Sequence, residues 1–264
     1  ESMKKLILAI AIAAIFAMGS AAYAGQFGPP EPAAKEGKAS LGVGYFYNSA
    51  KLKPNNTADW EEKKLTQNQT YLQLGYGFTK NWEAYLRVGG ADLKVKNAIT
   101  DSDLTNSGPK DFKDGLKPFG TIGVKGVFNV TPSFGIGPFF QASLYSSYKD
   151  EWTLNELGWS DQGWVKAKVK KPREINLGIG LQGKIGEAII YGGPVAYWMK
   201  TKVELEVVNS TSGDSGSDST TYKEKNNIGG FAGVRLPLTK GLNLEVEGQL
   251  KSKFSFGGAL TYSF

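Results

Sequence analysis

Neither cysteine nor histidine occurs among the 264 residues. Without Cys the chain cannot form disulfides, use a thiol nucleophile or attach a c-type haem covalently. Without His it lacks imidazole general bases, Ser-His triads and the usual zinc sites. Charge of one sign is not concentrated: 31 Lys and Arg are interspersed with 25 Asp and Glu for a net charge of +6. That balance leaves no basic footprint, and nucleic acid is not an expected partner. Long apolar runs are also missing beyond Met18. No later stretch approaches the roughly 20 apolar residues of a membrane helix, and mean hydropathy is −0.29.

The one apolar run lies near the start. Met3-Lys4-Lys5 supplies a positive beginning, Leu6 to Met18 an apolar core, and Ala22-Tyr23-Ala24 a small-x-small cleavage site. This predicts a secretory signal peptide over residues 1–24; the run is too short to span a bilayer as a helix. No Cys follows it, which excludes a lipoprotein. Glu1 and Ser2 precede the start methionine and are set aside. Residues 25–37 then read as a periplasmic N-terminal segment and 38–264 as the folded domain.

What the domain does have is alternation. Apolar and small or polar residues alternate in segments joined by short and long connections in turn, the reading expected of an up-and-down barrel. The pattern predicts an all-β transmembrane antiparallel β-barrel of about ten strands. They cover Ala39 to Leu52, Leu65 to Thr79, Trp82 to Lys96, Phe119 to Val130, Phe134 to Tyr148, a sixth ending near Ile185, Ala188 to about Val208, about Tyr222 to Leu238, Leu242 to Lys251, and a last from Ser255. Short turns fall at Lys80-Asn81, Thr131-Pro132-Ser133, Gly186-Glu187 and Thr239-Lys240-Gly241. Long connections include Lys53 to Lys64, a stretch with Asp101, Asp103 and Pro118, a loop bearing Trp152, Trp159 and Trp164, and the low-complexity run Asn209 to Thr220. An even strand count puts both ends in the periplasm. The sixth and seventh strands outrun a bilayer, and their far halves carry Lys166, Lys168, Lys170, Lys200, Lys202, Glu204 and Glu206. A sheet projecting beyond the membrane is expected there.

Phase assigns faces. Leu72, Leu74, Tyr76 and Phe78 share one side, as do Ile175, Leu177, Ile179 and Leu181, and Leu242, Leu244, Val246 and Leu250; these point to lipid. The opposite face forms a lumen network of Glu83, Arg87, Lys125, Glu174, Lys184, Arg235, Glu245 and Glu247, joined by Gln141, Asn176, Gln182 and Gln249. Opposite charges in so narrow a space should pair with each other, because a lone buried charge is expensive. Glycines on the same face, Gly42, Gly44, Gly75, Gly77, Gly135, Gly137, Gly178, Gly180, Gly229 and Gly233, would make room for the charged chains. Gly89-Gly90 marks a bulge where the apolar phase slips before Leu93.

Few motifs carry chemistry. Glu245 and Glu247, two apart on one face, could serve acid–base work or a metal, but the lumen network accounts for them better. Asp101-Ser102-Asp103 and Gly213 to Asp218 offer oxygen ligands without an EF-hand's spacing or closing Glu. Lys166 to Arg173 is a basic run that reads first as a solvated edge, with binding of lipopolysaccharide phosphates as the alternative. Asn55-Asn56-Thr57 and Asn209-Ser210-Thr211 are chance sequons. No Gly-rich loop opens a helix, so no nucleotide site and no cofactor is expected.

The last residues, Phe256-Gly257-Gly258-Ala259-Leu260-Thr261-Tyr262-Ser263-Phe264, resemble the closing strand of bacterial outer-membrane β-barrel proteins. The resemblance implies that Leu260, Tyr262 and Phe264 form the signal read by the barrel-assembly machinery. Tyr71 to Trp82 and Asn227 to Leu236 are similar in strand-turn phrasing to the OmpA-like outer-membrane barrel superfamily. That resemblance implies a multi-pass protein of the Gram-negative outer membrane with surrounding lipids as partners. Family members are anchors, adhesins, narrow pores or, rarely, enzymes, and the known enzymatic outer-membrane barrels depend on the His that this chain lacks. The expectation is therefore a non-enzymatic structural or surface-interaction role through the outer loops. The alternative is a narrow porin-like channel for small polar solutes.

Overall fold

The computed structural model describes residues 26–55, 62–100 and 106–264. The signal peptide, the Asp101-Ser102-Asp103 segment and most of the Asn55 sequon lie outside the described residues. Described residues form strands and no helix: β1 Ala39–Pro54, β2 Lys63–Thr79, β3 Trp82–Ile99, β4 Lys110–Gly126, β5 Phe128–Asn129, β6 Phe134–Tyr145, β7 Tyr148–Thr153, β8 Gly163–Ile185, β9 Ala188–Asn209, β10 Asp214–Glu224, β11 Ile228–Thr239, β12 Leu242–Leu250 and β13 Phe254–Ser263.

Antiparallel pairing runs β1–β2–β3–β4–β6–β8–β9–β11–β12–β13 and returns to β1, closing a barrel. Closure leaves no free edge around this ring. Three strands stand off it: β5 pairs with β6, β7 with the far half of β8, and β10 bridges β9 to β1. Two expectations change here. The low-complexity run Asn209 to Thr220 is not all loop, since Asp214 onward pairs with β9, and the strand expected from Tyr222 to Leu238 is split between β10 and β11. Similarly β4 begins at Lys110, inside the stretch read as connection, and Trp152 lies in β7. Ser and Asp have weak strand propensity, but a neighbour offering unpaired backbone groups overrides it.

Outside and inside are inverted relative to a water-soluble barrel. Leu72 and Leu74 are 57% and 54% exposed, while Glu83 and Gln141 are wholly buried. Phe254, Phe256, Tyr262 and Phe264 also face out, and the ten residues of β13, at about 3.3 Å each and tilted about 40°, give an apolar band about 25 Å tall.

Beyond this band the phase reverses. On β8, Ile175, Leu177, Ile179 and Leu181 face out, whereas Val165, Ala167 and Val169 are buried. The odd-numbered apolar series changes sides because the register with β9 shifts between Lys170 and Arg173, with Lys171 at φ 37° as the inserted residue. β3 changes differently. Its pairing with β2 is continuous through Gly89 and Gly90, so the bulge expected there is absent; Ala91, Leu93 and Val95 are simply inward residues of an unbroken strand. The shift lies on the partner, where β4 carries an extra residue between Asp114 and Lys117. In the extension water lies outside and an apolar core within, so a continuous strand must change its pattern.

Candidate functional site

The interior of the banded half is built from inward residues of every ring strand and from one segment the sequence placed elsewhere. Residues 26–34 do not hang below the barrel as a periplasmic segment. They run up inside it from the short-turn end, where Glu36 bridges Gly77, and Gln26, Phe27 and Ala34 are all buried. A composition of Gly, Pro and one Phe suits this course. Pro29, Pro30 and Pro32 bring no backbone N–H, so fewer donors need partners in a dry interior.

The donors that remain are met by wall carboxylates. Glu247 accepts from the N–H of Phe27 at 2.9 and 3.1 Å and from Gly28 at 2.9 Å. Glu83 accepts from Ala33 at 2.5 Å and Ala34 at 3.2 Å. The carbonyl of Gln26 takes a 2.7 Å bond from Arg87, and that of Glu31 a 3.1 Å bond from Arg235. Lys184 reaches the Glu31 carboxylate at 2.7 Å near the short-turn mouth. Phe27 stacks on Phe139 with centroids 4.5 Å apart and meets Phe231 edge-on at 5.2 Å. Gly28 sits at φ 74°, a conformation that favours glycine, and an added Cβ would also lie tight against Lys125 Nζ at 3.0 Å and Glu245 Oε2 at 3.1 Å.

The expected lumen residues do converge, but not as mutual ion pairs. Among the charged members of that set only Arg235 and Glu245 form an ion pair, at 2.7 Å. Glu83 and Glu247 are spent on the inserted backbone. Glu174 pairs at 2.5 Å with Lys251, which the expected inward set left out although it ends the expected ninth strand in the same phase as Glu245, Glu247 and Gln249. Arg87 bonds Gln73 at 2.6 Å and Gln141 at 3.0 Å, and its guanidinium lies 4.9 and 4.7 Å from the ring centres of Tyr71 and Tyr85. Lys125 sits directly across from Glu83 on neighbouring strands.

The glycines serve rings more than charges. An added Cβ on Gly44 would lie 2.3 Å from the Tyr71 ring and one on Gly123 2.2 Å from Tyr85, so these two let both tyrosines fold over Arg87; of the expected glycines Gly75 is the one that makes room for Glu83.

Above Lys251 the interior turns apolar. Phe46, Leu65, Leu93, Phe112, Tyr148 and Trp152 belong to one buried cluster that continues into the extension. Segment, polar collar and apolar cluster succeed one another along the axis. Among the described residues no group of acidic side chains could hold a metal ion, and Glu245 and Glu247 are occupied by Arg235, Gln26, Gln249 and backbone N–H groups.

Leu260, Tyr262 and Phe264 lie on the outer face of β13 or just past it, with Tyr262 and Phe264 ring centroids 5.1 Å apart. No family model matches the chain, and no curated protein matches it. Solved structures do resemble it. The outer membrane protease OmpT from Escherichia coli aligns over 86% of this chain and 96% of its own, at 12% identity and TM-score 0.48. The translocator domain of autotransporter NalP from Neisseria meningitidis aligns over 85% and 88%, at 10% identity and TM-score 0.45. The outer membrane protein OprG from Pseudomonas aeruginosa aligns over 88% and 99%, at 10% identity and TM-score 0.40. With every one of these scores under 0.5, the functional reading rests on the geometry of this chain.

Proposed function

We propose that the chain is an integral β-barrel of the bacterial outer membrane, with ten spanning strands, β1 starting and β13 finishing on the periplasmic side, and a closed lumen. It acts without enzymatic chemistry, as a structural or surface-interaction protein whose working part is the extension of β7 to β10 and the loops it carries. The apolar band supports the membrane placement, since only lipid favours so much outward Leu, Ile and Phe. The observation that carries the closed reading is the inserted segment: Gln26 to Ala34 occupies the space through which a solute would pass, tied to the wall by hydrogen bonds and an ion pair to charged and amide side chains, by a bond from Ser263 and by the packing of Phe27 on Phe139 and Phe231. A barrel of this size has little bore to spare once side chains fill it.

One observation favours the narrow channel as a second reading. The segment is held by noncovalent bonds alone and could withdraw toward the periplasm. Single-channel recording in planar bilayers separates the two, comparing the mature protein with a form lacking residues 26–34. Silence from the mature protein over a range of voltages, with heat-modifiable folding confirmed on a gel, is the expected result. Steady conductance from the mature protein would overturn the closed reading. Conductance from the shortened form alone would identify the segment as the plug.

A further inference from the structure

On the outer face of the extension, β8 and β9 present charges in register. Farthest out they are complementary: Lys166 faces Glu206 and Lys168 faces Glu204. At the next two registers the pattern fails. Lys170 faces Lys202 and Arg173 faces Lys200, and Lys200 faces a third cation, Lys223 of β10, on its other side. Like charges directly opposite one another destabilise a sheet, and nothing in the fold requires them there. One carboxylate answers the group: Glu204 bonds Lys170 at 2.6 Å and Lys202 at 3.1 Å. Among the described residues the side chains of Lys171, Arg173, Lys200 and Lys223 have no hydrogen-bond or ion-pair partner.

The position of this cluster is as specific as its charge. Arg173 sits across from Leu144, and the next register toward the band pairs Ile175 with Trp198. Leu144 and Trp198 are exposed, so the cations line the rim where the apolar band ends. The surface there is concave: a groove of about 430 Å³ is lined by Leu144, Lys170, Lys171, Arg173, Lys200 and Lys202. The inserted Lys171 belongs to it, because the bulge that reverses the phase of β8 also adds one cation beside the groove.

We propose that this rim groove binds the phosphates of an outer-leaflet glycolipid, lipopolysaccharide, with Arg173, Lys200 and Lys223 on the phosphate oxygens and Leu144 and Trp198 against the first carbons of the acyl chains. Arg presents a planar fork to phosphate and Lys a point charge, so the two types suit a multiply phosphorylated headgroup. The inference rests on the membrane placement proposed above; a soluble phosphate compound would meet the cations but leave the apolar edge unused.

The test uses the mature, refolded protein in detergent micelles and in phosphatidylcholine vesicles. Binding of purified lipopolysaccharide is titrated for the wild type, for an Arg173→Gln, Lys200→Gln, Lys223→Gln triple variant and for Lys240→Gln, a cation on a turn at the opposite end. The expected result is a loss of tenfold or more in affinity for the triple variant, none for Lys240→Gln, and a similar loss when the wild type meets phosphatase-treated lipopolysaccharide. Equal binding by the triple variant, or indifference to phosphatase treatment, overturns the proposal. Inorganic pyrophosphate competing as well as the glycolipid, mole for mole, overturns the lipid assignment in favour of a soluble ligand. Flotation with the vesicles, measured on the same samples, tests the placement separately: protein that floats without binding sinks the groove alone, and protein that does not float sinks the membrane reading.

Discussion

Glu247 of β12 takes the backbone N–H of Phe27 at 2.9 Å, across 220 residues of sequence. The bond joins the beginning of the described chain to a strand near its end, and it fixes where the segment sits in the lumen. Replacing Glu247 by Ala leaves the N–H groups of Phe27 and Gly28 buried without acceptors, at a cost of about 1–3 kcal/mol. Glu247→Gln keeps an acceptor oxygen and should lose less. Urea unfolding of the two variants in vesicles, followed by tryptophan fluorescence, checks the order; equal losses would mean that this carboxylate does not hold the segment.

Lys251 and Glu174 form a buried pair, with side chains 2% and 3% exposed, whereas Lys166 and Glu151 pair on the surface at 36% and 51%. Removing one partner of a buried pair strands a charge and costs about 3–5 kcal/mol. An exposed pair contributes about 0–1 kcal/mol. Lys251→Met should therefore lower the unfolding midpoint markedly and Lys166→Met barely, measured in the same urea titration. A reversed order would show that Glu174 finds water or another cation.

Gly44→Val tests the clamp on Arg87. The new side chain would overlap the Tyr71 ring, which must leave its place over the guanidinium. Overpacking of this kind costs about 1–3 kcal/mol. A lower refolding yield on a heat-modifiability gel is the expected readout; a wild-type yield would mean that the ring has room to move.

Glu224 supplies a pH dependence. It ends β10, which lies in the extension, and burial pushes its carboxyl from the usual range up to about 8, against the opposing pull of Lys251. Glu174 adds to the rise and a hydrogen bond from Ser252 reduces it. A folded-state value above the unfolded one means that the folded form holds the proton more tightly. The associated stability is full below about pH 4.5 and is lost progressively as pH rises to about 8. Unfolding midpoints taken between pH 5 and pH 9 should fall with pH in the wild type, and less so in Glu224→Gln. Parallel curves for the two proteins would assign the dependence to other groups.

Much of the barrel was legible because a strand between lipid and lumen writes a period of two into the chain. Leu72, Leu74 and Tyr76 on one side and Glu245, Glu247 and Gln249 on the other declare their faces without any partner being known. The extension was harder. Ser215, Gly216 and Ser217 carry no alternation, yet they pair with Val208, Val207 and Glu206 because β9 offers them a backbone ladder. Gly89-Gly90 misled for a related reason: a slip of apolar phase can mean a bulge or a change of surroundings, and local sequence does not separate the two.

The sequence by itself determined the strand faces within the apolar band, most of the inward charged residues and the absence of imidazole and thiol chemistry, since each follows from residue type and spacing. Only the tertiary structure decided what those charges do. Glu83 and Glu247 meet the inserted segment, Lys251 swings in to Glu174, and Arg173, Lys200 and Lys223 come together on three strands. Each outcome depends on which residues closure of the barrel brings within about 3 Å or into cross-strand register, and hydrogen bonds and ion pairs are short-ranged. Pairings between residues so far apart in the chain leave no periodic trace in it.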